Sequence, residues 1–356
     1  MLDLVFEGGA VKALAYLGAL AELESVDYAL RRVVGTSAGA IVALLAALDY
    51  RSTEIGELFG GDDALLASFF DAPREFDKAT VEQSLLWQAF REIDLPLVPD
   101  AVEARLDRLL FRQLCKSEGF RQAFSFVERG GLFEGHAMLE WLRRAIAAKG
   151  LPPDATLLQL HERTGVELTL VALDTTAQRR LVLNSRSAPS LPAVWAVRAS
   201  ASLPFVFQET LWQAAWGPYC GENLAGHAIV DGGVCSNFAL DLLLSESPEM
   251  GAPPLDGYAL GFLLDEDAAV PGFGPPPPPA LQLRTLDRLL RLADAVMSSS
   301  DRAAIARWPE RVCRLPCRGV GTLETQLGAD KRELLIKAAR HATHAFLKRC
   351  PIKEFA

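Results

Sequence analysis

Two short apolar runs near the start of the chain each lead through a glycine-containing turn into an apolar, alanine-rich stretch. The first run, LDLVF at 2–6, predicts a buried parallel strand, and a helical pattern follows the turn EGGAVK. The second run, RRVVG at 31–35, predicts another strand, and AGAIVALLAALD at 38–49 predicts a second helix. This strand–helix–strand–helix order indicates an α/β domain built on a mostly parallel sheet.

The later part of the chain alternates between helical and strand-like patterns. Residues 50–160 are mostly helical in pattern, with acidic and basic residues interspersed. Strands are predicted at 166–174, 180–185, 228–233 and 258–265. The first two of these pair across the turn TTAQ. Residues 272–279, GFGPPPPP, predict a semi-rigid polyproline spacer, and beyond it two amphipathic helices bracket the short strand RVCRLP.

Composition and charge narrow the class of partner. The 356 residues are 50% hydrophobic, which suffices for one large domain or two modest ones. The net charge of −9 and the lack of a basic stripe argue against a nucleic-acid partner, and any lipid contact must be apolar or locally basic. Six scattered cysteines lack zinc-site spacing and predict reduced thiols. We expect no metal and no cofactor.

The sequence gives no sign of a leader or a membrane span. MLDLVFEGG has an acid at position 3 and no basic leader, so no signal peptide is predicted. No window of about 18 apolar residues is free of charges or turn breakers, so no transmembrane segment is expected. We expect a cytoplasmic protein. A peripheral position at a membrane and export by a non-classical route both stay open.

The segment VVGTSAGAIVALLAAL at 33–48 places Ser37 where the second strand turns into its helix. A strand, Gly-x-Ser-x-Gly and a helix together form the pattern of a nucleophile elbow, in which Gly35 and Gly39 leave room for a strained serine. The alternative is a tight turn in which Ser37 only caps the helix.

The turn after the first strand, EGGAVKA at 7–13, supplies backbone N–H groups at the start of a helix. Such groups stabilise the negative oxygen that forms when a nucleophile attacks a carbonyl. Lys12 adds positive charge near the same point. Adjacent parallel strands end in one crevice, so we expect Gly9 and Ser37 to lie side by side. A phosphate-binding turn is the alternative, but the full G-x-G-x-x-G and the acidic residue that a ribose requires are both missing.

A serine nucleophile needs a partner that accepts its proton. The chain has five histidines, His136, His161, His227, His341 and His344. Asp231 is the better candidate, because it ends an apolar strand and two glycines follow it. The alternative for Asp231 is an ordinary Asp-Gly turn. Asp174, at another strand end, is the rival carboxylate, and an α/β-hydrolase esterase that uses a histidine is a further hypothesis.

Four segments of the chain resemble, in the same order, the four sequence blocks of the patatin-like phospholipases. They are LVFEGGAVKALAYLGAL, VVGTSAGAIVALLAAL, ASASLPFVF and IVDGGVCSNFAL. The resemblance implies a three-layer α/β/α fold with a mostly parallel central sheet. It also implies a catalytic domain at 1–271 that carries 50–160 as a helical insertion or lid. After the spacer, we expect 280–356 to form C-terminal helices packed on the same domain.

The resemblance also implies a site without histidine. Ser37 of GTSAG would be the nucleophile and Asp231 of DGG the base. The implied oxyanion turn comprises Gly8, Gly9, Ala10 and Lys12, with the N–H groups of Gly9 and Ala10 as donors. The elbow and the second turn are completed by Gly35, Gly39, Gly232 and Gly233. The family turn usually has a third glycine where this chain has Ala10, and a positive φ there would cost about 1 kcal/mol.

The implied activity is that of a lipid acyl hydrolase of the phospholipase A type, acting on lipid or phospholipid at a membrane surface. Its main alternative is a catalytically weak or inactive binding or scaffold protein of the same fold. Residues 203–219 bring five aromatic side chains together, which suit a membrane–water interface or the mouth of an acyl tunnel. The alternative is that they pack in the core or in a hairpin on the sheet. LLASFF at 65–70 is a candidate lid.

Overall fold

The computed structural model describes residues 1–350, apart from 27, 61–63, 75, 92–110, 112, 254–256, 275–301 and 322–326. The helix predicted directly after the spacer, and residues 275–279 of the spacer itself, lie outside the described residues. Described strands are β1 (Leu2–Phe6), β2 (Leu30–Thr36), β3 (Gly131–Phe133), β4 (Glu167–Asp174), β5 (Arg179–Leu183), β6 (Phe205–Phe207), β7 (Thr210–Leu211), β8 (Ala228–Asp231), β9 (Tyr258–Ala269) and β10 (Val312–Arg318).

The helices follow the same alternation. Described helices are α1 (Ala15–Leu23), α2 (Ala38–Ala47), α3 (Ser52–Phe59), α4 (Ala64–Ser68), α5 (Lys78–Gln83), α6 (Leu85–Arg91), α7 (Glu118–Arg129), α8 (His136–Ala148), α9 (Leu157–Thr164), α10 (Ala193–Ser200), α11 (Asp241–Leu244), α12 (Arg302–Arg307) and α13 (Ala329–Leu347). Among them, none combines the length and the apolar character needed to cross a membrane.

The main sheet has the strand order β10-β9-β1-β2-β4-β8-β7, with β5 paired to β4. Neighbours from β10 to β4 run parallel, whereas β8 and β5 run antiparallel to β4. The predicted pairing of the strands at 166–174 and 180–185 is confirmed. They correspond to β4 and β5, with Leu170 opposite Leu183. A parallel sheet puts the carboxyl ends of β1, β2 and β4 at one edge, where a crevice opens between their loops.

Both faces of the sheet are buried, as the sequence predicts for short, uninterrupted apolar strands. In β1, Leu4 and Phe6 join the larger hydrophobic core, while Val5 between them joins a separate core on the opposite face. Helices α1, α2, α8 and α10 supply the larger core. The fold is therefore a three-layer α/β/α sandwich around a mostly parallel sheet, and the predicted fold class is confirmed.

The C-terminal part of the chain returns to its beginning. Strand β10 joins the main sheet beside β9, and α13 packs directly on α1. The two helices approach so closely at Gly18 that a Cβ atom there would lie 2.0 Å from the carbonyl oxygen of Ile336. Within 50–160, the described helices α5 to α7 enclose a small aromatic cluster that includes Trp87, Phe111 and Phe124.

Candidate active site

Ser37 stands at the junction of β2 and α2 in a strained backbone conformation. Its φ is +53°, in the left-handed region that few residues other than glycine adopt. The flanking glycines are required by contact with backbone. A Cβ atom on Gly35 would lie 2.5 Å from the Gly39 carbonyl oxygen, and one on Gly39 would lie 2.3 Å from the Phe6 carbonyl oxygen. The strand–turn–helix geometry predicted for GTSAG is present.

Asp231 ends β8 with its side chain fully buried. Its Oδ1 accepts a 2.7 Å hydrogen bond from the Gly233 N–H, and its own N–H donates to the Ser202 carbonyl oxygen at 2.9 Å. Oδ2 is buried without a hydrogen bond of ordinary geometry. The Ser37 side chain nevertheless acts on this carboxyl by hydrogen bonding. We regard the two groups as adjacent but imperfectly aligned, which is common for catalytic pairs without substrate.

The Asp231 carboxyl changes between its protonated and its ionised form near neutral pH. Burial raises the pKa of its carboxyl to about 7, while hydrogen bonding by the Ser37 side chain, hydrogen bonding by the Gly233 N–H and the charge of Arg198 each oppose that rise. A carboxylate that titrates near pH 7 is a far stronger base than one in water, and still ionised under mildly alkaline conditions.

The glycine turn after β1 lies against Ser37. A Cβ atom on Gly8 would lie 2.8 Å from the Ser37 Cβ and 2.3 Å from Asn237 Oδ1, so the turn admits no side chain at that position. Gly9 has a φ of 180°, outside the left-handed region, but a Cβ atom there would lie 2.2 Å from Leu264 Cδ1. Ala10 has a φ of +48° and lines a cavity together with Ser37. The methyl group therefore does sit at a left-handed position of the turn.

Substitutions at Ala10 test the cost of that conformation. We expect Ala10→Gly to raise the free energy of unfolding by up to about 1 kcal/mol, because glycine avoids the left-handed penalty but gains entropy in the unfolded chain. Ala10→Val should lower it by about 1–3 kcal/mol, since a β-branched residue at positive φ is a severe outlier. Urea denaturation of the two variants measures both changes. Equal stability of Ala10→Val and wild type would contradict a positive φ at this position.

The positive charge predicted beside this turn already has an ion-pair partner. Lys12 is buried, and its ammonium group forms an ion pair with Glu266 of β9, whose side chain is 62% exposed. The positive charge of Lys12 is thus largely balanced by Glu266. At the other turn, a Cβ atom on Gly232 would lie 2.2 Å from the Val171 carbonyl oxygen, so this glycine lets the chain after β8 cross β4 closely.

Sequence reasoning missed two polar residues that hold the site together. The Ser37 N–H donates to Ser200 Oγ at 3.1 Å, and the Ser200 hydroxyl donates to the Val171 carbonyl oxygen at 2.6 Å. Asn237 Nδ2 donates to the Gly8 carbonyl oxygen at 3.0 Å, and its backbone carbonyl accepts from the Gly8 N–H at 3.2 Å. Both residues lie in segments that carried the family resemblance, which was the available signal.

The five histidines all lie among the described residues, and none lines the cavity at Ser37. His227 Nδ1 is 2.9 Å from Asp174 Oδ2, and Asp174 Oδ1 accepts from the N–H groups of Thr176 and Ala177 at 3.0 Å. The rival carboxylate is therefore committed to capping the turn between β4 and β5. This arrangement gives no support to a histidine-using esterase.

An apolar cavity of about 110 Å³ opens beside Ser37. Of the described residues that line it, Ser37 alone has a polar side chain; the others include Ile41, Phe69, Phe70 and Met138. Three of the lining residues, Leu66, Phe69 and Phe70, come from the candidate lid at 65–70, whose role as a lid stays a prediction. A space of this kind suits the apolar part of a substrate whose reacting group lies at the serine.

The aromatic segment at 203–219 divides between the two alternatives. Phe207 lines the cavity. Trp212, Trp216 and Tyr219 are each less than a tenth exposed and pack against one another, with the Trp212 and Trp216 ring centroids 5.7 Å apart. For these three residues the lipid-interface interpretation is wrong, because their rings belong to the core.

Comparison with known proteins identifies the chain. The family model of the patatin-like phospholipases matches residues 4–244, well over half of its length. The chain belongs to the patatin-like phospholipase family. The predicted resemblance is thereby confirmed, and at the level of the family this patatin-like protein is a lipid hydrolase. No group of three or more histidine, cysteine or acidic side chains placed to bind a metal occurs in the described part of the chain.

Individual relatives of this patatin-like protein add context. It is 27% identical over 355 residues to the uncharacterized protein YqhO of Bacillus subtilis, with 98% of both chains covered. Among solved structures, it is similar to VipD from Legionella pneumophila, with 16% identity and a TM-score of 0.49, and to the type III effector ExoU, with 16% identity and a TM-score of 0.42. The alignments cover 98% of this chain but only 66% of VipD and 52% of ExoU.

Proposed function

We propose that the protein is a serine acyl hydrolase of the phospholipase A type, which cleaves fatty acyl esters through a Ser37–Asp231 dyad. One observation carries the proposal: the only polar side chain among the described residues lining an apolar cavity is a strained serine, and a buried carboxyl lies next to it. Apolar walls suit an acyl chain, and a serine beside a base suits attack on its ester carbonyl.

The reaction proceeds in two halves. Asp231 accepts the hydroxyl proton of Ser37, whose Oγ attacks the ester carbonyl carbon. The developing oxyanion rests on the N–H groups of Gly9 and Ala10, each donor contributing roughly 3 kcal/mol in comparable sites. The tetrahedral intermediate collapses to an acyl-serine, and the departing alcohol or lysolipid takes the proton from Asp231. Water then attacks the acyl-serine, gives its proton to Asp231, and releases the fatty acid as Ser37 regains its proton.

The substrate class follows from the shape and polarity of the cavity. A cavity of about 150 Å³ holds a benzene molecule, so 110 Å³ accommodates only a short part of an acyl chain in the present conformation. The remaining chain would leave through the mouth or displace the side chains of the 65–70 segment. Lipid or phospholipid at a membrane surface fits this requirement, and a cytoplasmic, membrane-peripheral location fits such a substrate.

The domain organisation enters the same proposal. We place the described residues of 302–350 with those of 1–271 in one catalytic domain, because β10 extends the main sheet and α13 packs on α1. Residues 50–160 form the insertion that contributes Phe69, Phe70 and Met138 to the cavity.

Lipid hydrolysis by purified protein tests the proposal. Mixed phospholipid and neutral-lipid vesicles are incubated with wild type, Ser37→Ala and Ser125→Ala in the presence of a chelator, and free fatty acid and lysolipid are measured by mass spectrometry. Ser125 of α7 is a matched control, because it is a fully buried serine that is not among the residues lining the cavity. Its hydroxyl donates a hydrogen bond to the carbonyl oxygen of Gly131 in β3. We expect release by wild type and Ser125→Ala, and at least about a thousandfold less by Ser37→Ala.

Two outcomes contradict the proposal. Equal release by Ser37→Ala and wild type would remove Ser37 from the chemistry. No release by any of the three folded proteins would favour the alternative of a patatin-fold binding or scaffold protein, for which the methyl group of Ala10 at positive φ is the structural argument.

A further inference from the structure

Arg198 of α10 is a buried cation with neutral partners. It is 2% exposed, and its guanidinium donates to Ser202 Oγ at 2.5 Å, to the Glu134 carbonyl oxygen at 2.9 Å and to the Gln208 carbonyl oxygen at 3.2 Å. It also lies over the ring of Phe207, 4.9 Å from the centroid. Burying a charge without a directly paired carboxylate costs free energy. The buried guanidinium of Arg198 therefore indicates a function that offsets this cost.

The hydrogen bonds of Arg198 lead to Asp231. Ser202 accepts from Arg198 through its hydroxyl, and its backbone carbonyl accepts from the Asp231 N–H at 2.9 Å. Ser202 also lies 3.1 Å from the Thr210 hydroxyl on β7, which fixes its side chain. A chain of two hydrogen bonds thus connects the guanidinium with the backbone of the carboxylate residue at the end of β8.

The charges of Arg198 and Asp231 also act on each other. Burial lowers the pKa of the Arg198 guanidinium to about 10, which leaves it protonated at neutral pH, and three carboxylates oppose that shift: Asp71, Glu134 and Asp231. Glu134 already has a cation of its own, since its carboxylate pairs with Arg74 at 2.5 Å. Asp71 has one buried oxygen, Oδ1, without a hydrogen bond, while Oδ2 accepts from the His136 N–H at 3.1 Å.

The groups that act on the Asp231 carboxyl come from three elements. The Ser37 hydroxyl faces it from the elbow, the Gly233 N–H from the turn after β8, and Arg198 from α10. Arg198 is the only one of the three with a full positive charge. Lys12, His227 and Asp174 have the separate partners already described, and no histidine lines the cavity at Ser37.

We infer that Arg198 is a positioning residue for the dyad: its hydrogen bond to Ser202 holds the end of β8, and with it Asp231, in place, and its positive charge favours the ionised form of that carboxyl. This inference rests on the catalytic role proposed above for Asp231. Arg198 itself is not among the residues that line the cavity. Because the negative charge of Asp71 acts on the same guanidinium, we expect removal of Asp71 and removal of Arg198 to shift the ionisation of Asp231 in opposite directions.

The pH dependence of Ser37 reactivity tests this inference. The rate at which a fluorophosphonate probe labels the protein is measured from about pH 5 to about pH 9 for wild type, Arg198→Met, Arg198→Lys, Asp71→Asn and Arg179→Met. Ser37→Ala and Asp231→Asn are measured alongside them to test the dyad itself. Arg179 is the control cation, because it pairs with Glu222 on the surface. In wild type we expect the rate to rise with pH to a plateau, as Asp231 loses its proton.

The substitutions at Arg198 and Asp71 are expected to shift the midpoint of the pH–rate profile in defined directions. Arg198→Met should move the midpoint up by about one pH unit, which lowers the rate below the midpoint about tenfold and changes the alkaline plateau far less. Arg198→Lys should restore most of the wild-type midpoint, Asp71→Asn should move it down, and Arg179→Met should leave it unchanged. If Arg198→Met does not fold, Arg198→Lys and Asp71→Asn still decide the matter through the sign of their shifts.

Failure of the inference and failure of the proposed function give different results. If Arg198→Met lowers the rate equally at every pH, or Asp71→Asn leaves the midpoint in place, Arg198 is structural only and the inference is wrong. If the probe labels Ser37→Ala as fast as wild type, or the pH-dependent rise persists in Asp231→Asn, the dyad itself is wrong.

Discussion

Asp231→Asn should abolish fatty acid release and at the same time make the folded protein more stable above neutral pH. An amide cannot accept the Ser37 proton, and general bases contribute about 10² to 10⁴ in rate, so we expect a loss of roughly a thousandfold. The pKa of the buried carboxyl is about 7 in the folded protein, against an ordinary value of 3.8. Folding therefore favours the protonated form.

The sign of the pH effect follows from that difference. Below about pH 4, Asp231 is protonated in both the folded and the unfolded state, and the free energy of unfolding bears no penalty from it. Between about pH 4 and pH 7 the unfolded state loses its proton first, so stability falls as the pH rises and stays lower above pH 7. Asparagine carries no charge to bury. Its advantage over aspartate should reach a few kcal/mol at pH 8 and vanish near pH 4.

Thermal unfolding at about pH 5 and pH 8, together with the vesicle assay, measures both effects. Asp174→Asn is the matched control, because Asp174 is an equally buried carboxylate at a strand end whose oxygens are hydrogen-bonded by His227 and by a turn. We expect it to lose about 1–3 kcal/mol of stability and to keep its activity. Wild-type release rates from Asp231→Asn, or a lower melting temperature than wild type at pH 8, would refute the assignment.

Gly39→Ala is expected to damage both stability and activity, although it adds one methyl group. That methyl carbon would lie 2.3 Å from the Phe6 carbonyl oxygen and 2.6 Å from that of Glu7. Both obstacles are backbone at the end of β1, so α2 must move away from the sheet. We expect a loss of about 1–3 kcal/mol from overpacking. The shift also separates Ser37 from the turn at Gly8, and a misplacement of about 1 Å costs about a hundredfold in rate.

Gly56→Ala is the matched control for this substitution. Gly56 lies within α3 and a Cβ atom there would meet nothing within 4 Å. The change should raise the free energy of unfolding by up to about 1 kcal/mol through helix propensity and leave lipid release unchanged. Denaturant unfolding and the vesicle assay on both variants decide the point. If Gly39→Ala matched Gly56→Ala in stability, the close packing of α2 on β1 would be wrong.

Local patterns in the sequence predicted the elements that surround the site. Each strand at its centre is a short apolar run, and Ser37 and Asp231 were found because each directly follows or ends such a run. The end of β9 was harder to predict: the pattern predicted 258–265, whereas the strand continues to Ala269 through acidic residues that extend beyond the buried part of the sheet.

The contacts that assemble the site could not be predicted in the same way. Ser200 meets Ser37 across 163 residues, and Asn237 meets Gly8 across 229. No periodicity within one segment encodes such a meeting, since it depends on strand order. The aromatic residues at 203–219 show a different limit of prediction from sequence. Trp212 and Trp216 are close in sequence, but nothing in their spacing distinguishes a core from a lipid interface.

The position of β1 between β2 and β9 also orders events during synthesis. The turn that follows β1 is held by Glu7, whose Oε2 accepts from the Leu264 N–H at 2.6 Å, and by Asn237. A ribosome that has translated Ser37 must therefore add more than 220 residues before these partners exist. Because a growing chain emerges at about 5–20 residues per second, β1 waits on the order of ten seconds or more for its second neighbour. A nascent chain should thus remain inert towards lipid until about three quarters of it has been made, and any pause or truncation before Leu264 should yield protein without hydrolase activity.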